Sequence, residues 1–308
     1  MIVRLNEIQE KVICLINNPT AKTFSLGFDG LDKFYKVVLG STTYIGGQPS
    51  HGKTEWLLEV LVRLSQIHGF RHLIYSPETG NAEKIYLEIT CKYLSKVYRE
   101  NAFNRITEIE FIKASAFVNE YFIVRDMTDK TPTPSEFIKE IDSLVKEMNI
   151  QTISIDPWNE MLHHFGEAGS RQDLYLEVAL TQIRKYARKN NLHFFVVTHP
   201  KTLIKNKSGG YDAPTAYDLS GGATWFSKAD SILCVYRPFE FSESNFERSF
   251  VSIIIQKAKP KEVGIKGEFE AVYDWNTGRY SERNREKSYE GQKLEIKEDF
   301  IIEQKLPF

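Results

Sequence analysis

Residues 47–54 read Gly47-Gln48-Pro49-Ser50-His51-Gly52-Lys53-Thr54, which has the spacing G-x-x-x-x-G-K-[ST] of a phosphate-binding P-loop. The flanks agree. The apolar run Thr43-Tyr44-Ile45 predicts a strand entering the loop, and the stretch from Lys53 to about Gln66 predicts a helix leaving it. Gly47 and Gly52 let the backbone turn its N–H groups inward onto phosphate oxygens. Lys53 is placed to neutralise the β- and γ-phosphates, and the Thr54 hydroxyl to ligate Mg²⁺. The positive end of the helix dipole faces the same anion. The expected ligand is ATP, or another nucleoside triphosphate, with Mg²⁺. A glycine-rich turn matching by chance would not need either flank.

Outward from this loop, composition sets limits. The chain has 308 residues, of which 42% are hydrophobic and 26% charged, enough for a full core in one large domain or two small ones. The net charge of -1 gives no global basic field, so any nucleic-acid site must be local. A ring of subunits with a basic inner face fits that balance. The three cysteines, Cys14, Cys91 and Cys234, are far apart and none has C-x-x-C spacing. That argues against zinc and for a reducing cytoplasm. No apolar run approaches membrane-spanning length. Glu7, Glu10 and Lys11 interrupt the apolar residues of Met1 to Asn18, which is therefore not a signal peptide. Instead Leu5, Ile8, Val12 and Leu15 share one helical face. Such a helix packs on its own domain or docks on a neighbouring subunit, and the sequence leaves both open.

The pattern predicts buried strands at His72–Ser76, Tyr121–Val124, Thr152–Ile155, His193–Thr198 and Ser231–Tyr236, with further strands at Phe250–Gln256 and Gly267–Tyr273. Between them it predicts helices at Asn81–Arg99, Thr107–Val118, Pro134–Glu147 and Asp173–Lys189. Lys201 to Ala223 is polar and glycine-rich and is expected to be a mobile loop. From Ser281 the chain is charged with mixed signs, a tail. Strands alternating with helices give an α/β fold: a mainly parallel twisted sheet, helices on both faces, and added C-terminal strands. The expected organisation is an N-terminal helix over 1–20, a nucleotide-binding domain over 21–280 and a tail over 281–308.

Ligands in such sheets bind at the carboxyl ends of strands. Three strand ends carry a polar residue directly after an apolar run. Asp156 is placed to hold Mg²⁺ through its water shell, although strands also end in aspartate as a turn former. Glu78 is placed to orient and deprotonate an attacking water, or serves as an acid before a helix N-terminus. His199 is placed to bond a γ-phosphate, or simply satisfies a turn. The later strands carry Arg237, Lys257, Lys259, Lys261 and Lys266. These either complete a neighbour's nucleotide site or form a solvated basic surface.

The ordered set is more specific than the P-loop alone. After residues 47–54 come Tyr75-Ser76-Pro77-Glu78, Ile155-Asp156-Pro157 and Val197-Thr198-His199-Pro200. Asp218-Leu219-Ser220-Gly221-Gly222-Ala223, Lys228-Ala229-Asp230 and Gln256-Lys257-Ala258-Lys259 follow. Over roughly residues 20–280 this resembles the RecA-like motor domain of hexameric replicative helicases of the DnaB and Twinkle type, phage relatives included. The resemblance implies a RecA-like P-loop NTPase core in a homo-hexameric ring that hydrolyses nucleotide at subunit interfaces and moves along single-stranded DNA. It implies that Lys53 and Thr54 are the P-loop pair, Glu78 the catalytic base and Asp156 the Mg²⁺-associated acid. It makes His199 the link from γ-phosphate to a DNA-binding loop, and Arg237 with Tyr273 the pair that stacks on the base. Lys201, Lys205 and Lys207 become phosphate contacts of a pore loop, and Gly221 and Gly222 a turn offering backbone N–H groups to the same strand.

Two departures qualify the resemblance. The family's trans-acting finger reads Lys-x-Arg, whereas this chain has Lys257-Ala258-Lys259, which keeps the charge and loses the bidentate fork. Slower hydrolysis is one expectation. Arg279 or another residue in the finger's place is another. The large N-terminal domain of most relatives is also missing from this sequence, so a primase or loader would come from a separate chain. Two other readings keep the same fold: a DNA-binding ATPase that mediates recombination or loading without unwinding, and an assembly protein that uses nucleotide as glue. The intact set Lys53, Thr54, Glu78 and Asp156 speaks against the second.

Overall fold

Tyr44 and Ile45, in the strand that enters the phosphate loop, are fully buried, because this strand lies at the centre of a nine-stranded sheet with a helical layer on each side. The computed structural model describes residues 3–17, 22–126, 130–164, 166, 171–201, 205 and 211–283. In chain order the elements are α1 (Leu5–Asn17), β1 (Thr23–Phe24), α2 (Asp29–Asp32), β2 (Val37–Val38), β3 (Ser41–Gly46), α3 (Lys53–His68), β4 (His72–Tyr75) and α4 (Ala82–Leu94). Then come α5 (Glu108–Tyr121), β5 (Phe122–Val124), α6 (Pro134–Glu147), β6 (Thr152–Ile155), α7 (Gln172–Asn190), β7 (His193–Val197) and α8 (Ala223–Lys228). Last are β8 (Ser231–Tyr236), α9 (Asn245–Arg248), β9 (Phe250–Lys257), β10 (Gly267–Asp274) and β11 (Arg279–Glu282).

The sheet order is β11-β10-β9-β8-β3-β7-β6-β4-β5. The six strands from β8 to β5 run parallel, while β9, β10 and β11 extend the sheet antiparallel. Alternation along each strand feeds two separate cores. Ile45, Phe195, Val197 and Leu233 pack with α3 and α4 on one face. Tyr44, Phe194, Val196 and Ile232 pack with α6, α7 and α8 on the other. Strands buried on both faces are mainly apolar, and the few polar residues within them, such as Thr43 and His193, are paired to one another, so reactive polar groups are left to the strand ends.

Local signals explain several helix boundaries. Thr107 with Glu110 and Thr133 with Glu136 form reciprocal capping boxes that start α5 and α6, and Pro134 occupies the first turn of α6. The helix predicted over Asn81–Arg99 instead ends at Leu94, where Ser95 turns left-handed at φ 55°. Part of the segment expected to be a mobile loop is packed: Ala216 and Leu219 are buried, and α8 begins at Ala223. Residues 202–204 and 206–210 of that segment, Lys207 among them, lie outside the described residues, as does 284–308 of the expected tail. Ser281 and Glu282 belong to β11. No residue of α1 is buried: Leu5 and Ile16 are 67% and 70% exposed, while Ile8 and Val12 on the predicted apolar face are half-buried. Among the described residues no helix is long and apolar enough to cross a membrane.

Candidate nucleotide site

The loop after β3 closes around its own lysine. Gly47 sits at φ 150°, where a Cβ would stand 2.4 Å from the carbonyl oxygen of Val235, so only glycine fits. Gly52 precedes α3 in the left-handed region at φ 85°. Pro49 and Ser50 span the exposed bend between them, Ser50 at φ 63°. Lys53 is buried, and its ammonium donates to the carbonyl oxygens of Gly47 at 3.1 Å and Gln48 at 2.8 Å. Burial lowers the Lys53 pKa, against the pull of Asp156 and Glu78. The ammonium thus lies inside the cradle, bonded to carbonyls that a phosphate oxygen would outcompete.

Asp156 follows β6 and is 1% exposed, and no hydrogen bond of good geometry ends on either carboxylate oxygen, the Thr54 hydroxyl being the one side-chain donor that acts on it. Burial pushes its pKa up to about 6; Glu78 adds to the rise, while the Thr54 hydroxyl and Lys53 oppose it. A buried carboxylate so poorly bonded is costly unless a cation completes it. The residues present therefore fit Mg²⁺, with Asp156 and Thr54 as its protein side.

Glu78 and His199, from the ends of β4 and β7, are joined directly: His199 Nε2 lies 3.0 Å from the Glu78 carboxylate. Asn159 holds this corner. Its side-chain oxygen accepts from the His199 N–H at 3.1 Å. Sequence reasoning passed over Asn159 because nothing in the Pro157–Glu160 stretch marks it as chemical.

His51 is 2% exposed and connects the loop to the end of β8. Its Nδ1 accepts from the Arg237 N–H at 3.0 Å, so Nε2 carries the proton and faces Glu240 at 3.1 Å. Burial lowers the His51 pKa despite Glu240. Arg237 and Tyr273, expected as a pair, both flank Trp275. The Arg237 guanidinium lies 5.4 Å from the Trp275 ring centre, and Tyr273 meets the same ring edge-on at 4.9 Å. Tyr273 also bonds Glu55 of α3 at 3.3 Å. Trp275, 43% exposed in a turn, was missed by sequence reasoning; a large exposed aromatic between two named candidates is the signal.

The remaining candidates lie farther out. Lys257 is buried, donates to the Phe226 carbonyl and lies over the Phe226 ring, and burial lowers its pKa. Lys259 is exposed. Arg279 is buried and bonds Glu59 of α3 twice, at 2.8 and 3.0 Å, so it is committed within its own subunit and does not stand in for the finger. Lys201 and Lys205 are exposed on the segment after β7. Gly221 and Gly222 form a positive-φ turn in which the Gly222 N–H already donates to the Leu219 carbonyl at 2.8 Å.

No protein-family model matches the chain. The solved structure titled "ATPase Domain of G40P" superposes with a TM-score of 0.71 at 17% identity, covering 92% of this chain and 100% of that one. The fold is that of this ATPase domain. A second structure, of a DnaB-like replicative helicase and its interactions with primase, gives a TM-score of 0.71 at 17% identity over 90% of this chain and 68% of that one. The Twinkle homolog protein, chloroplastic/mitochondrial, of Arabidopsis thaliana is 29% identical over 266 residues, which is 84% of this chain. The chain spans 36% of the length of that relative. Within the ATPase-domain fold, the strand ends gather Lys53, Glu78, Asp156 and His199, while the antiparallel extension carries Arg237, Tyr273 and Trp275.

Proposed function

We propose that this chain is an ATP-driven DNA helicase motor that hydrolyses nucleotide at subunit interfaces and moves along single-stranded DNA in replication. One observation carries the reading. Glu78 is bonded to His199, and His199 opens the segment that bears the basic residues Lys201 and Lys205. Hydrolytic machinery and candidate strand contacts are thereby adjacent in one chain.

In this mechanism Lys53 leaves the Gly47 and Gln48 carbonyls for the β- and γ-phosphates. Thr54 and Asp156 would hold Mg²⁺, which would supply positive charge against the transferred phosphoryl group. Glu78 orients a water toward the γ-phosphorus and accepts its proton as the bond to the β-phosphate oxygen breaks. His199 exchanges its bond to Glu78 for one to the γ-phosphate. Arg237, Tyr273 and Trp275 take the base. Lys259 is the exposed cation of the Lys257–Lys259 pair and faces the neighbour's nucleotide in a homo-hexamer. The apolar face of α1 docks on that neighbour.

The test uses a forked duplex and single-stranded DNA. The wild type should unwind the fork and show DNA-stimulated hydrolysis, and Lys53→Ala should lower hydrolysis by about 10²-fold or more. Hydrolysis that DNA never stimulates would refute the helicase reading; stimulation without unwinding would point to a mediator or loader.

A further inference from the structure

We propose that Gln48 is a positioning residue that couples occupancy of the phosphate loop to the segment following His199, by gripping that segment's returning arm. The inference rests on the functional reading above and names a route of regulation within the same site.

Gln48 occupies a variable position of the P-loop pattern, yet it is only 7% exposed. Its carboxamide nitrogen donates to two successive carbonyls, Tyr211 at 3.2 Å and Asp212 at 3.1 Å. A carboxamide has two N–H donors, and both are spent on this contact. Flipping the amide would put its oxygen against two acceptors, so the orientation is set by the network. The Tyr236 hydroxyl donates to the same Tyr211 oxygen at 2.9 Å. Gln256 extends the grip: its nitrogen donates to the Pro214 carbonyl at 2.8 Å, and its oxygen accepts from the Ala216 N–H at 3.0 Å.

The outgoing arm is tied to the returning one. Pro200 pairs with Leu219 and Lys205 with Tyr211, both antiparallel, and the Lys201 N–H donates to the Asp218 carbonyl at 2.8 Å. The segment is thus held at both roots by the nucleotide site. One root begins at His199, bonded to Glu78, and the other is clamped by Gln48.

The clamp also sits where occupancy changes. The Gln48 carbonyl is the closer of the two acceptors that hold the Lys53 ammonium. A phosphate in the cradle takes that ammonium, so the Gln48 peptide loses its strongest local partner while its side chain grips Tyr211 and Asp212. Coupling between two sites is reciprocal: whatever factor nucleotide imposes on strand affinity, the strand imposes on nucleotide affinity.

The experiment measures that factor on the full chain. The dissociation constant of a fluorescent oligo-dT is determined with and without a non-hydrolysable ATP analogue and Mg²⁺, for wild type, Gln48→Met and Tyr236→Phe. The wild type should show a factor of about tenfold or more, within the usual range for coupled sites. Gln48→Met should bring it to within about twofold of one, and Tyr236→Phe should lower it in the same direction. A Gln48 that only stiffens the loop would change analogue affinity equally with and without oligo-dT and leave the factor intact. A wild-type factor retained in Gln48→Met overturns the clamp alone. Should Gln48→Met not fold, an unchanged factor in Tyr236→Phe overturns it. A wild type that binds no oligo-dT in either state overturns the functional reading and the clamp with it.

Discussion

Replacing Arg279 with leucine should destabilise the protein by about 3–5 kcal/mol, the cost of breaking a buried ion pair from one side. Glu59 is 0% exposed in the middle of α3 and accepts from Arg279 twice and from Arg63 at 2.6 Å. Burial alone would raise the Glu59 pKa, but Arg279, Arg63 and Lys92 outweigh it and hold the carboxyl at about 2, against an ordinary 4.5. A depression of that size is worth about 3 kcal/mol at neutral pH, shared among the three cations with Arg279 the largest contributor, and removing Arg279 also strips two of the hydrogen bonds on a fully buried carboxylate. This stability is present above the unfolded pKa and is lost as pH falls through the folded one. Urea unfolding at pH 7, followed by tryptophan fluorescence, measures the loss. Leucine keeps the apolar stem, so the loss reports the charge and its bonds. A loss below about 1 kcal/mol would refute the assignment of Arg279 to the core of its own subunit. So would a fully stable variant that hydrolyses nucleotide only when mixed with wild-type subunits, since that is the behaviour of a trans-acting finger.

Asp156 should behave in the opposite way. Its carboxyl is raised to about 6 by burial, so ionising it costs stability as pH rises from 3.8 through 6. Asp156→Asn should therefore stabilise the nucleotide-free protein at pH 8 by about 1–3 kcal/mol while removing Mg²⁺-dependent nucleotide binding; an unchanged or lower urea midpoint would contradict the buried, poorly bonded carboxylate. His72 and His193 are held neutral by burial, at about 3 and about 4. Below pH 6.5 the unfolded chain takes up those two protons and the folded one does not, while Asp156 offsets one of them below about 6. These three groups together give a slope between pH 6 and 5 of about 1.4 kcal/mol of stability lost per unit fall in pH, and His51 and His163, whose pKa values burial also lowers, add in the same direction. Urea midpoints across that range check it: a flat profile refutes it, and Asp156→Asn should steepen it.

The parallel half of the fold was legible because buried strands allow so little. Thr152–Ile155 and Ser231–Tyr236 are unbroken apolar or small runs, and each ends where water or a ligand begins. That confinement made Asp156 and His199 stand out without any tertiary information. In the antiparallel half β9 and β10 were read to within one residue, and β11 was missed. In Arg279-Tyr280-Ser281-Glu282 the leading residue is an arginine, which no apolar pattern assigns to a core. Its burial comes from Glu59, which lies 220 positions away along the chain. The six-residue α8 starts where the glycine-rich stretch ends and was not predicted, and it is held there by Trp225, whose indole N–H donates to the Ser220 carbonyl at 2.7 Å. Gln48 was visible only as a variable position in a motif, because its role depends on carbonyls more than 160 residues distant.

The same contrast sharpens what the Lys257-Ala258-Lys259 sequence means. The two lysines lie two positions apart, and on a strand that spacing would aim both at the same side. They do not share a fate, because β9 ends at Lys257. Lys257 folds back onto Phe226, where its charge satisfies a carbonyl and a ring and braces α8 against the sheet. Lys259 lies beyond the strand end and is exposed. A lysine at this second position can offer a neighbour one point charge where arginine would offer a planar fork. The parts of the site that come from one subunit are brought together by parallel strand ends. In the proposed ring, the part a neighbour would supply depends on Lys259, an exposed side chain beyond the end of β9. Differences in turnover between this chain and relatives with arginine there should therefore arise in phosphoryl-charge stabilisation across the interface, with nucleotide affinity within the subunit left largely alone.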